Sequence, residues 1–262
     1  MSRTIKHSAV AGAFYPAEPE TLHRQVQQFI DAARPVSDTR PRALIAPHAG
    51  YIYSGPIAGS AYATLLNSSD IHRVILLAPA HRVAFRGIAY SSATHFETPL
   101  GLIPVDQELL GKIACSPSLQ LNDDAFRDEH SIEVQLPFLQ EILTDFKIVP
   151  LLVGDASPPQ VAEILEQTWD VPENLIVISS DLSHYLDYES ATEMDQKTSQ
   201  AIEALQPEAL TYHSACGRTP VSGLLLVAKK HGLKARTLDL RNSGDTAGPR
   251  DRVVGYGAYV FS

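Results

Sequence analysis

Three histidines in this chain each follow, within a few positions, a short run of aliphatic and β-branched residues. Ala43-Leu44-Ile45-Ala46 leads into Pro47-His48-Ala49-Gly50-Tyr51, and Val74-Ile75-Leu76-Leu77-Ala78 leads into Pro79-Ala80-His81. Leu175-Ile176-Val177-Ile178-Ser179-Ser180 leads into Asp181-Leu182-Ser183-His184-Tyr185. Apolar runs of this length read as buried strands. In open α/β sheets ligands bind outside the carboxyl ends of the strands, where loops from several strands meet. Neutral imidazoles delivered there from separate strands suit a divalent metal that keeps a position open for water, oxygen or substrate. One histidine after one strand is more often a hydrogen-bonded core or loop residue. The repetition, and the tight Ala-Pro-(Ala)-His context of His48 and His81, favours a site those two share. Asp181 and His184 leave two readings open: both complete the ligand set, or His184 is a general acid–base that Asp181 orients. An aspartate that only caps a backbone N–H at the strand end weighs equally.

A further constellation is Asp128-Glu129-His130-Ser131-Ile132-Glu133. His130 and Glu133 are three apart and share a face of a helix, so both are candidates for catalytic roles at the site. Asp128 and Glu129 read as acids favoured at a helix N-terminus. Cys216, in Ala215-Cys216-Gly217-Arg218-Thr219-Pro220, precedes an apolar helix whose dipole would lower a thiol pKa, although a small buried hydrophobe is the commoner role for a lone cysteine. The sequence holds no Gly-x-Ser-x-Gly elbow, phosphate-binding P-loop, Gly-x-Gly-x-x-Gly or His-Glu-x-x-His pattern, which argues against nucleotide cofactors and serine hydrolysis.

The elements that must position these residues alternate. Strand-like runs at Ala43 to Ala46, Val74 to Ala78, Gly87 to Tyr90, Lys147 to Val153 and Leu175 to Ser179 are separated by helical periodicity at Thr21 to Ala33, Pro56 to Leu66, Ser131 to Leu143, Pro159 to Thr168, Ala191 to Leu205 and Val221 to His231. Leu233 to Leu240 and Val253 to Phe261 read as a closing pair of strands, joined by a Gly-, Asn- and Pro-rich loop over residues 241–249. This is the pattern of an α/β protein with a largely parallel or mixed sheet. The 262 residues show no repeat or linker that would divide them, so a single domain over 1–262 is expected.

Composition narrows the function classes. Ten histidines against two cysteines make imidazole the readier source of ligands or proton transfer, and so few cysteines fit a reducing, cytoplasmic compartment. A formal net charge of −9 with no long basic run argues against nucleic acid as a partner. The longest apolar runs, Val74 to Ala80 and Gly223 to Ala228, fall short of the ~20 residues of a membrane span, and no signal-peptide pattern is expected.

Several blocks resemble the Memo family, labelled in prokaryotes AmmeMemoRadiSam system protein B. They are Val10-Ala11-Gly12-Ala13-Phe14-Tyr15-Pro16, Ala46-Pro47-His48-Ala49-Gly50-Tyr51, Glu129-His130-Ser131-Ile132-Glu133-Val134-Gln135-Leu136-Pro137-Phe138-Leu139, Val149-Pro150-Leu151-Leu152-Val153-Gly154, Ser180-Asp181-Leu182-Ser183-His184-Tyr185 and Ala215-Cys216-Gly217-Arg218. The resemblance runs over essentially the whole chain, to Val253-Val254-Gly255-Tyr256-Gly257-Ala258. It implies a three-layer αβα domain similar to class III extradiol dioxygenases, which are non-haem iron(II) enzymes. It places His48 and His81 on two metal-ligand positions and His184 on the acid–base position. The third ligand position is a cysteine in animal members. Counting back from Tyr256 puts it on Thr246, a poor ligand for a soft or borderline metal, which leaves Asp245, Asp181 or a water to complete the set. Ala80 stands where many relatives have serine.

The function this reading expects is a non-haem iron(II) or copper redox enzyme acting on a small molecule, phenolic or oxygen-derived. The metal ligands would be His48, His81 and Asp245, with His184, Asp181, His130 and Glu133 as catalytic groups. The family label also implies a functional link to a radical SAM protein. The alternatives are a non-catalytic protein that holds a peptide or small anion in the same pocket, and a zinc-dependent hydrolase in which Asp181 and His184 activate a bound water.

Overall fold

The computed structural model describes residues 3–33 and 40–262. Its strands are β1 (Ile5–Lys6), β2 (Ala43–Ala46), β3 (Arg73–Pro79), β4 (Ile88–Tyr90), β5 (His95–Thr98), β6 (Gly101–Pro104), β7 (Leu119–Leu121), β8 (Lys147–Val153), β9 (Asn174–Ser179), β10 (His184–Leu186), β11 (Ala235–Asn242) and β12 (Val253–Phe261). Its helices are α1 (Pro19–Asp31), α2 (Tyr51–Tyr62), α3 (Gln107–Ile113), α4 (Asp123–Arg127), α5 (Leu136–Ile142), α6 (Pro158–Glu166), α7 (Tyr188–Glu203), α8 (Arg218–Lys230) and α9 (Ser243–Thr246).

The main sheet runs β10-β12-β2-β9-β3-β8-β4-β7, with β11 also paired to β12. Its centre, β2-β9-β3-β8, is parallel throughout, while β12 on one side and β4 on the other join antiparallel, so the sheet is mixed. Every residue of β2 and β9 is buried, as is all of β3 and β8 beyond the first residue. That is the signature of strands covered on both faces. One helical layer is built of α1, α2 and α5, and another includes α6 packed on α8. The arrangement is the α/β architecture expected from the alternating pattern and the αβα sandwich implied by the family resemblance. β1, β5 and β6 form a separate three-stranded sheet, which short, half-exposed segments did not announce.

Two of the differences from the expected elements have clear local reasons. α2 starts at Tyr51 rather than Pro56, so Pro56 lies inside it. A proline there cannot donate to the carbonyl four residues back, that of Ile52. Ile52 is 59% exposed, and water can satisfy that oxygen. The loop expected over residues 241–249 contains the short helix α9, started by a capping box between Asn242 and Asp245.

α1 and α2 approach closely because α2 carries Gly55 and Gly59. A Cβ on Gly59 would lie 2.5 Å from the carbonyl oxygen of Phe29. Alanine would gain roughly 1 kcal/mol in helix propensity over glycine, but the clash is with backbone, which cannot rotate away, and overpacking costs about 1–3 kcal/mol. Gly59→Ala is therefore expected to destabilise the protein, read as a lower urea midpoint at unchanged m-value.

Candidate metal centre

Because β2, β9, β3 and β8 are parallel, their carboxyl ends lie along one edge. Ala46 pairs with Ser179, and Pro79 with Val153. The loops that follow bring His48 and His81 together, with ring centroids 5.2 Å apart at a steep angle.

His48 is 2% exposed. Its backbone N–H donates to Asp181 Oδ1 at 2.7 Å, and its Nδ1 lies 2.8 Å from Ser179 Oγ. Burial pushes its pKa down to about 4 against the opposing pull of Asp181, with His81 and His130 adding to the lowering. The ring is neutral at pH 7, the state a ligand needs. Its Nε2 is 3.3 Å from Cys216 Sγ.

His81 is held by Glu129, which accepts from its backbone N–H at 2.5 Å and from its Nδ1 at 3.0 Å. Glu129 is almost fully buried, which by itself would raise its pKa. The His130 and His81 imidazoles and the His81 backbone outweigh this and hold the carboxyl well below the usual range. The carboxylate fixes the proton on Nδ1 and leaves Nε2 as the donor atom, the carboxylate–histidine arrangement common behind metal ligands. Sequence patterning assigned Glu129 to a helix terminus; nothing local marked its contact with His81, 48 residues away.

Cys216 enters from the loop before α8. Gly217 allows the approach, since a Cβ there would sit 2.7 Å from Ser180 Cβ, and the Gly217 N–H donates to Ser180 Oγ at 3.0 Å. Burial, reinforced by Asp181, pushes the thiol up to about 12. A coordinating cation would take the proton's place. His48, His81 and Cys216 each offer a donor atom within 4.8 Å of the others. Donors about 2.0–2.3 Å from a tetrahedral ion stand roughly 3.3–3.8 Å apart, so small side-chain rotations would close the group on a metal.

His184 lies on the wall of a cavity of about 700 Å³ that His81 and Cys216 also line. Its Nδ1 is 2.8 Å from the Leu182 carbonyl, which can only accept, so Nδ1 carries the proton and Nε2 is free to take one. The next residue, Tyr185, holds φ at 61°, the left-handed region a bulky side chain rarely adopts.

Other expectations are corrected. Asp181 does not orient His184; the Leu182 carbonyl does, and Asp181 caps the His48 backbone. Glu133 is not free for catalysis: it accepts from Ala9 N, Val10 N and the Tyr15 hydroxyl, at 2.7, 3.0 and 2.6 Å, and so ties down the N-terminal segment. Asp245 is not among the converging donors. Its Oδ2 accepts from Asn242 N and its Oδ1 from the Tyr188 hydroxyl, while Thr246 donates to Ser243 O. The thiol beside His48 comes from residue 216, not from the C-terminal loop. His130 stacks between Phe14 and His81, at 4.7 and 5.0 Å, and its Nδ1 lies 3.2 Å from Glu129 Oε1 but off the line of a hydrogen bond. His81, Glu129 and His130 form a second convergent group. Both Glu129 oxygens already accept from His81, and one also accepts from the His130 and Ser131 backbone, so this group reads as the support of His81.

Two imidazoles and a thiol converging at the carboxyl edge of a mixed sheet define an α/β protein with a candidate metal centre. Comparison with known proteins gives the lineage: the Memo-like protein family matches residues 6–260, and the chain belongs to that family. A MEMO1 family protein of Saccharolobus islandicus (strain M.14.25 / Kamchatka #1) is 36% identical, the alignment covering 97% of this chain and 98% of the relative. A MEMO1 family protein of Aquifex aeolicus is 35% identical over 98% and 99% of the two chains. Among solved structures, an uncharacterized protein from Escherichia coli K12 aligns with a TM-score of 0.53 over 83% of this chain and 99% of its own, at 14% identity, a likeness of fold alone. Among the described residues no helix is long and apolar enough to cross a membrane.

Proposed function

We propose that this protein is a metal-dependent oxidoreductase that holds iron(II) or copper through His48 Nε2, His81 Nε2 and Cys216 Sγ and acts on a small molecule in the adjoining cavity. The observation that carries this reading is the convergence of these donors, with both imidazoles anchored through Nδ1. Such a metal supplies one-electron and oxygen chemistry when bound. A thiol in place of a carboxylate departs from the two-His, one-carboxylate set of non-haem iron oxygenases and tilts the choice towards copper. His184 Nε2 serves as proton acceptor on the cavity wall. Arg218 also lines the cavity, its guanidinium 5.8 Å from the exposed Tyr212 ring, and among the described residues it makes no ion pair; it offers an anchor for an anionic group on the substrate.

A zinc hydrolase is the second reading, because a His2Cys set suits zinc equally. Elemental analysis of protein purified without oxygen or chelators separates the two. Copper or iron near one per chain is the expected result, together with a thiolate-to-metal charge-transfer band on cobalt(II) substitution that disappears in Cys216→Ser. Zinc alone, with ester or amide turnover, would replace the redox reading by the hydrolytic one.

A further inference from the structure

Three histidines line or hold the site, and each places its Nδ1 within hydrogen-bond distance of an oxygen. For His81 and His184 the partners are a carboxylate and a backbone carbonyl, which leave no ambiguity about where the proton sits. His48 is different. Its partner is the hydroxyl of Ser179, which can donate as readily as accept.

The direction of that bond is settled further along a buried network. Ser179 Oγ lies 2.6 Å from the carbonyl of Ser131, which can only accept, so the single hydroxyl proton goes there. The amide of Gln135 is oriented by the same logic. Its Nε2 lies 2.9 Å from the Pro47 carbonyl, again an acceptor only, and its Oε1 receives the Tyr62 hydroxyl at 2.9 Å. The other amide proton reaches Ser179 Oγ at 2.8 Å. Ser179 has thus given its proton and filled one lone pair. Its remaining lone pair can only accept, and His48 Nδ1 must bring the proton. Ser179 and Gln135 are both fully buried, so water does not compete for these bonds.

We propose that Ser179, its hydroxyl proton held by the Ser131 carbonyl and one lone pair filled by Gln135, is a positioning residue that sets the His48 tautomer as Nδ1–H and so leaves the Nε2 lone pair beside Cys216 for a metal. The inference rests on the metal-centre reading for its purpose, but the tautomer is a property of the metal-free protein. The two polar side chains act through backbone carbonyls of Pro47 and Ser131, which belong to the segments that carry His48 and that follow Glu129. The tautomer of one ligand is therefore tied to the loops that position both.

The test uses full-length protein labelled with 15N at histidine. In the metal-free wild type, long-range 1H–15N spectra should show His48 with a pyrrole-like Nδ1 and a pyridine-like Nε2. Ser179→Ala removes the acceptor, and the His48 proton is expected to move to Nε2, towards Cys216 Sγ. Zinc affinity, measured by competition with a chromophoric chelator, should fall about 10- to 100-fold, the usual loss when a partner behind a ligand is removed. Ser179→Thr keeps the hydroxyl and should keep both the tautomer and the affinity, and it serves as the folded control by circular dichroism. Gln135→Met leaves the Ser179 proton on the Ser131 carbonyl and should keep the His48 tautomer, and a tautomer switch in this variant would overturn the assignment of the Ser179 proton to Ser131. A wild-type His48 protonated at Nε2 would overturn the proposal. So would a Ser179→Ala variant whose tautomer and zinc affinity match the wild type. A wild type that binds neither zinc, copper nor iron(II) would overturn the metal-centre reading and with it the purpose given to Ser179, while the tautomer assignment stands or falls on the metal-free spectrum.

Discussion

A His48→Ala, His81→Ala double variant, purified anaerobically beside the wild type, is expected to lose its metal almost entirely, with affinity for copper or iron down more than 100-fold. That exceeds the roughly 10- to 100-fold typical of partners behind the ligands, because two of three donors disappear and a lone thiol remains. His48 and His81 come from different strands, so neither can compensate for the other by local rearrangement. Losing the His48 ring also leaves one lone pair of Ser179 unfilled, a buried cost of about 1–3 kcal/mol, which a domain of this size should survive. Circular dichroism checks that the variant is folded, and elemental analysis reads the outcome. Equal metal in the two proteins would remove the basis for the proposed function.

Glu133→Ala should instead strike stability. The carboxylate is 4% exposed and accepts two backbone N–H groups and the Tyr15 hydroxyl. Alanine leaves two buried donors, the Val10 N–H and the Tyr15 hydroxyl, without partners at about 1–3 kcal/mol each, while the exposed Ala9 can turn its N–H to water, so a loss of about 3–4 kcal/mol is expected, at the upper end for single substitutions. Glu133→Gln, which keeps one carbonyl oxygen, should cost less. Urea unfolding of the three proteins gives the order. Metal content per folded molecule should not change, and an intact fold that has lost metal would return Glu133 to the site.

The two expectations for the motif Glu129 to Glu133 exchanged places in the folded protein. His130 and Glu133 share a helical face in the sequence pattern, yet residues 133–135 form a 3-10 turn and Glu133 turns to the N-terminal segment. Glu129, which looked like a helix-terminal acid, is the carboxylate that holds His81. Cys216 was visible as the cysteine of a Cys-Gly pair before an apolar helix. Its partner could not be read, because counting along the C-terminal loop led to Thr246 and Asp245 instead.

By itself the sequence determined the local elements and which histidines leave the strands. Apolar runs with β-branched residues can bury both faces of a strand, and helical stripes must cover them, so the alternation specified an α/β fold with His48, His81 and His184 following strands. Periodicities of two and 3.6 residues are local quantities, however, and the centre is made of contacts that are not. Cys216 meets His48 across 168 positions, Ser179 meets His48 across 131, and Glu129 meets His81 across 48. Those pairings depend on strand order, on the close approach that Gly217 permits, and on which buried polar groups satisfy one another. Only the packed tertiary structure decides them, because a side chain's partner is set by what the whole fold brings within about 3 Å of it.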